Sequence, residues 1–128
     1  MITVLLDTHI WAWTMSEEHR LTDAVLAAIG EATTIYVSPV SFFEISQKVR
    51  LGKWPQMAKW ADRLQEKRNE QGAVEVPLTS AMTLLAGRLD WSHRDPFDRM
   101  LAATAILTGS TLISADIAFD TLPLRRVW

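Results

Sequence analysis

Apolar and polar positions follow two different periods along this chain. Short aliphatic or β-branched runs, each closed by a polar residue, alternate with longer stretches in which apolar residues recur every three or four positions. Thr3-Val-Leu-Leu-Asp7 is the first short run and reads as a buried strand. His9 to Met15 reads as a short helix. Asp23 to Ile29, approached through Leu21, reads as a second, apolar on one face with Gly30 near its end. Thr34-Ile-Tyr-Val37 is the second strand. Ser38-Pro39 then opens a helix, with Ser as N-cap and Pro at the first helical position, and Gly52 stops it. Gln56 to Asn69 reads as one charged amphipathic helix, and Gly72 breaks it before Val74-Glu-Val76, the third strand. Thr79 caps a helix running to about Arg88, and Leu89 to Arg94 is a loop. Asp95-Pro96 starts the most sharply bounded helix, through Leu107, with Gly109 just beyond its end. Thr111-Leu-Ile-Ser114 is the fourth strand, Asp116 to Asp120 a short turn or helix, and Leu124 to Trp128 a last short strand.

Strands that alternate with helices, the first two of them apolar throughout, imply an α/β fold with a parallel sheet covered on both faces. No repeat, low-complexity tract or linker interrupts the pattern. Residues 1–128 are therefore expected to form a single domain.

That topology gives the acidic residues a meaning. In open parallel sheets, ligands bind in the crevice outside the carboxyl ends of the strands. Asp7 follows the first strand directly, and Asp116 lies two residues beyond Ser114. Glu44 falls in the second turn of the helix that leaves the second strand, so its helix starts at the same edge. Asp98 sits one turn into the helix begun by Asp95-Pro96. Ala102 and Ala105 lie nearly below it, and small residues there let the helix approach the sheet; Asp95 is on the adjoining face. Each acid also has an ordinary reading. Asp7, Asp95 and Asp116 can each be a cap or turn residue. Glu44 can pair with Lys48 at i+4, and the helix dipole alone favours Asp98 by roughly 0.3–1 kcal/mol. Their joint placement is what these readings leave unexplained.

Carboxylates a few ångströms apart repel, and one or more should hold a proton unless a cation neutralises them. Oxygen donors select a hard cation, Mg²⁺ or Mn²⁺, and the chain has no Cys to offer a thiolate or a disulfide. Such an ion lowers the pKa of a bound water and screens a phosphodiester's charge.

Composition adds less. The formal net charge is −2, from 15 acidic and 13 basic residues. Domains that grip phosphate broadly often have a pI above about 9, and this chain does not. A locally basic rim remains compatible with that balance: Arg94 and Arg99 flank the acids, and Lys48, Arg50 and Lys53 form a second group. The ordinary reading of each is a solvated charge or a surface ion pair. For six Trp, packing is the ordinary reading and base stacking the other. The apolar run Ile2 to Leu6 is shorter than a signal-peptide core of about 7–15 residues, and nothing approaches the ~20 of a membrane span. A cytoplasmic location is the expectation.

The motifs together resemble a known family. Leu5-Leu6-Asp7-Thr8-His9, the Ser38-Pro39…Glu44 helix, the segment from His93 to Ala105 (HRDPFDRMLAATA) and Leu112-Ile-Ser-Ala-Asp116 stand in the order and spacing of PIN-domain toxins of the VapC type. The resemblance spans essentially the whole chain, and its most specific part is the His93–Ala105 segment. It implies a three-layer α/β/α fold with a parallel five-stranded sheet, order 3-2-1-4-5. It also implies an endoribonuclease that uses Mg²⁺ or Mn²⁺, commonly as a homodimer, silenced by a cognate antitoxin. Carried over by position, Asp7, Glu44, Asp98 and Asp116 would surround the metal, with Asp95 an additional catalytic acid or a cap. Ser114 resembles the hydroxyl residue that supports the last acid, and it joins Arg94 and Arg99 as a candidate substrate contact. Exposed apolar residues between Trp11 and Ile29, or around Trp54 and Trp60, are candidate surfaces for the dimer or the antitoxin.

Three other readings compete. His9 and His93 both adjoin the acids, and a paired acid and base could cleave RNA without metal. That route would leave a cyclic 2′,3′-phosphate, where metal-assisted hydrolysis leaves a 5′-phosphate and a 3′-hydroxyl. A phosphoacceptor domain also gathers acids at strand ends, but it needs an acid after the third strand and a late Lys. Here that strand runs into Val76-Pro-Leu-Thr79, and no Lys follows Lys67. A PIN-like binding module without catalysis is the third, and retention of every acid speaks against it.

Overall fold

A computed structural model describes residues 1–128. The first strand, β1 (Thr3–Leu6), lies at the centre of the sheet, as a run of aliphatic residues with no polar face should. Helix α1 (Thr8–Ser16) and helix α2 (Asp23–Glu31) lead to β2 (Thr34–Val37), and α3 (Pro39–Arg50) follows. Then come α4 (Leu64–Glu70), β3 (Val74–Glu75), α5 (Ser80–Arg88), α6 (Pro96–Thr108), β4 (Thr111–Ile113) and β5 (Arg126–Val127). The five strands are parallel and ordered β3-β2-β1-β4-β5, as expected. In register, Leu5 of β1 stands between Tyr36 of β2 and Leu112 of β4.

Alternation along β1 divides the core into two layers. Leu5 points to one side, where Leu101, Ala102 and Ala105 of α6 pack with Leu112 and Phe119. Val4 and Leu6 point to the other, where Ile10 and Trp11 of α1, Val25 of α2 and Ile45 of α3 meet Met57 and Ile113. Ala102 and Ala105 are fully buried, so the small-residue stripe does bring α6 down onto the sheet.

The helix boundaries follow the side-chain chemistry. Ser38 Oγ accepts from the Val40 N–H at 3.1 Å at the start of α3, with Pro39 in the first helical position. Asp95 does the same for α6 through the Phe97 N–H at 2.9 Å. Gly109 closes α6 with φ +65°, a left-handed conformation that only glycine adopts cheaply, and its N–H returns to Ala105 O and Ile106 O.

Two expectations need correction. Gln56 to Asn69 is not one helix: 3₁₀ turns at Pro55–Met57 and Ala61–Arg63 precede the short α4. Trp54, Met57 and Trp60 are spaced by three, the 3₁₀ period, and Trp54 and Met57 are buried with Trp60 packed against the same cluster. Core packing has overridden the charged helical pattern. The last strand is also shorter than Leu124–Trp128. Leu124 turns its N–H back to Leu122 O at 2.8 Å, so pairing as a strand begins only at Arg126. No helix is long and apolar enough to cross a membrane.

Candidate metal centre

All five expected acids line one cleft of about 190 Å³ at the carboxyl edge of the sheet. Asp7 arrives from the end of β1 and Asp116 from just beyond β4, because those strands are parallel neighbours. Glu44 arrives from the second turn of α3. Asp98 sits in the first turn of α6, and Asp95 at its N-cap. His9, Ile10, Trp13, Lys48 and Ala115 complete the lining.

Each carboxylate is held in place by a named partner. Asp7 is buried, with no side-chain capping bond to α1; its Oδ2 accepts from Ser114 Oγ at 2.6 Å. Ser114 also accepts the Asp116 N–H at 3.1 Å, so one hydroxyl ties together the two acids from β1 and β4. Glu44 is buried and takes a 2.6 Å ion pair from Lys48, its i+4 neighbour. Asp98 Oδ2 is hydrogen-bonded to His93 Nε2 at 2.6 Å. Asp95 and Asp116 each give one oxygen to a helix cap, Asp116 through the Ala118 N–H at 2.9 Å. Both the capping and the pairing readings therefore hold for Asp95, Asp116 and Glu44, alongside their convergence on the cleft.

The electrostatics mark this cleft out. Burial pushes the Asp7 carboxyl above the ordinary Asp value, further raised by Glu44 and opposed by the Ser114 hydrogen bond and by His9. Burial likewise raises Asp98, against the His93 bond and with Asp7 and Asp95 adding to it, to about 6. Two acids thus resist ionisation where Lys48 alone brings a fixed positive charge. The donors His93, Asp98 and Asp116 lie within 4.8 Å of one another, a spacing one ion can span. A set made mainly of carboxylates, with one imidazole at its margin, suits a hard divalent cation.

Three expected substrate contacts divide. Arg94 is exposed beside the acids with no ion pair. Arg99 is not available in the expected way. Its guanidinium donates to four backbone carbonyls, Ala86 at 2.8 Å, Trp91 at 2.9 Å, His93 at 2.8 Å and Leu89 at 2.6 Å. It clamps the loop that carries His93. Ser114 is fully buried, so it positions acids and cannot touch a substrate. Sequence reasoning missed two things: the buried hydroxyl pair of Thr8 and Ser41 at 2.8 Å, which joins the starts of α1 and α3, and the presence of Trp13 on the cleft wall. The i,i+4 spacing of His9 and Trp13 on one helix face was the available signal for the second.

The chain has known counterparts. Residues 4–123 match the PIN domain family. Ribonuclease VapC22 of Mycobacterium tuberculosis (strain ATCC 25618 / H37Rv) is 31% identical over 119 residues, spanning 91% of this chain and 88% of that protein. Among solved structures, VapBC2 from Rickettsia felis, bound to a DNA fragment from its promoter, matches with a TM-score of 0.68 at 19% identity, covering 98% of this chain and 97% of that one. FitAcB from Neisseria gonorrhoeae matches at 0.69 with 18% identity, covering 96% and 95%. DNA-bound VapBC from Salmonella typhimurium matches at 0.70 with 14% identity, covering 98% and 97%. At such identities these structures speak to the fold.

Proposed function

The chain belongs to the PIN-domain family, and from that membership we propose that it is a metal-dependent endoribonuclease, the toxin of a type II toxin–antitoxin pair. The observation that carries this reading is the convergence of Asp7, Glu44, Asp95, Asp98 and Asp116 on one cleft, two of them with raised pKa. The relative named as a ribonuclease supports RNA as the substrate, and the VapBC structures support a cognate antitoxin as partner. A cytoplasmic location follows from a substrate found there.

Asp7, Glu44, Asp98 and Asp116 would hold Mg²⁺ or Mn²⁺. When bound, the ion supplies a more acidic water and screens the phosphodiester's negative charge. The protein's own work is positioning. Ser114 fixes Asp7 and Asp116 relative to each other, His93 orients Asp98, and Lys48 holds Glu44. Loss of a hydrogen-bond partner that orients a metal ligand typically costs about 10- to 100-fold in metal affinity or activity. Arg94, exposed next to Asp95 in the chain, would take a phosphate oxygen at the rim.

An apolar cleft of about 310 Å³, walled by Leu21, Leu26, Ile29 and Ile35 with Leu6 at its base, supports a seat for the antitoxin on α1 and α2. On another face, exposed Phe43 packs against Phe97 at 5.7 Å, beside Leu78 and Met100. That patch supports homodimerisation.

The test is cleavage of total RNA by antitoxin-free protein, with Mg²⁺ or Mn²⁺ and with EDTA, beside Asp7→Asn. Discrete products with 5′-phosphate ends that need metal and vanish in the variant are expected. Products that survive EDTA and end in a cyclic 2′,3′-phosphate would instead assign the reaction to the histidines.

A further inference from the structure

We propose that the wall formed by His9 and Trp13 is a stacking subsite for an unpaired RNA base next to the scissile phosphate; this rests on the nuclease reading above. Both residues line the same cleft as the acids. His9 is exposed, and its ring lies on Trp54 at 4.7 Å between centroids and 32° between planes. Trp54 is itself buried in the core, so it backs the imidazole like a fixed plate. Trp13 meets the edge of His9 at 6.0 Å and contacts Trp128 at 5.9 Å. The result is a supported aromatic surface with an open outer layer, one helical turn long, at the mouth of the acidic cleft.

Two cations, each also paired with an acid (Lys48 with Glu44, Arg20 with Glu17), stand against the rings. Lys48 Nζ lies 5.5 Å from the Trp54 ring centre and the Arg20 guanidinium 5.2 Å from that of Trp13. Aromatic faces beside positive charge are how proteins take hold of single-stranded nucleic acid without reading its sequence. The need is clear from charge. A net −2 chain whose cleft carries five acids repels phosphate in the absence of metal, so stacking, which does not depend on charge, supplies affinity that the cleft itself withholds. A base in a duplex has both faces covered, so the subsite selects an unpaired nucleotide.

The test measures anisotropy of a fluorescein-labelled single-stranded RNA of about 12 nucleotides in EDTA, with wild type, His9→Ala and His9→Phe. His9→Ala should bind about 5- to 150-fold more weakly, the range of one lost base stack, and His9→Phe should bind like wild type. An abasic oligomer of the same length should bind all three proteins alike. With Mn²⁺ present, the alanine variant should raise KM by a larger factor than it changes kcat, and His9→Phe should restore KM. Equal RNA binding by wild type and His9→Ala overturns the subsite. So does a phenylalanine variant as weak as alanine, or an abasic oligomer that discriminates equally. Because binding is read in EDTA, failure of the nuclease reading shows separately, as loss of metal-dependent cleavage with stacking intact.

Discussion

The Asp98 carboxyl illustrates how much one side chain can reveal about the state a site is built for. Its pKa in the folded chain is about 6 against an ordinary 3.8, chiefly because it is desolvated. An acid raised on folding contributes stability that is whole below its unfolded value and disappears as pH rises through the folded one. Metal-free protein should therefore lose stability between about pH 4 and pH 6.5 from this group, by at most about 3 kcal/mol, and Asp7 adds in the same direction. Urea unfolding in EDTA across that range should show Asp98→Asn progressively more stable than wild type as pH rises; parallel curves would refute the linkage. The same variant should abolish cleavage. Ser114→Ala makes the complementary case. It strips Asp7 and the Asp116 N–H of a buried partner, at a cost of about 1–3 kcal/mol. Apparent Mn²⁺ affinity in the cleavage assay should fall about 10- to 100-fold. Unchanged metal dependence would mean that the hydroxyl holds the fold alone.

At the scale of elements, α6 and the loop before it act as one piece. Arg99 makes four carbonyl bonds to residues 86–93 and so holds His93 against Asp98. Arg99→Lys cannot reproduce a planar fork of donors. It should destabilise the protein by about 2–4 kcal/mol, with faster amide exchange confined at first to the loop. A substrate-binding arginine would instead raise KM and leave the unfolding midpoint alone. This role was hidden in the sequence because an Arg beside acids looks the same whether it faces a ligand or the backbone. The strands, by contrast, were legible, since β1, β2 and β4 are short continuous apolar runs that suit a parallel sheet covered on both faces. So were the acids, because parallel topology fixes which strand ends share an edge. The first half of the Gln56–Asn69 stretch departs from the helical pattern for the opposite reason. Its charges followed a helical period, while Trp54, Met57 and Trp60 were anchored at intervals of three by the core. Local pattern and tertiary packing disagreed, and packing won.

Taken whole, the molecule is an acidic protein assigned to a polyanionic substrate, and that contradiction shapes its behaviour. The one cation lining the cleft, Lys48, is already paired with Glu44, so the slope of log affinity against log salt should be shallow, roughly −0.7 for each of one or two phosphate contacts. A steep slope would point to a basic surface assembled by a second copy of the chain. The Phe43–Phe97 patch is where such a copy is expected, and Phe43→Asp should shift the protein to monomer in sedimentation while leaving its unfolding midpoint close to wild type. The Ser114 bridge carries a wider consequence. The distance between Asp7 and Asp116 is inherited from two adjacent strands and one buried hydroxyl, whereas His9, Trp13 and Arg94 are borne by α1 and by the loop before α6. The strand-borne pair thus has a spacing of its own, independent of the outer faces of His9 and Trp13 on α1. If the proposed subsite holds, substitutions on that outer face should change which RNA is bound while the Asp7–Asp116 spacing stays as it is.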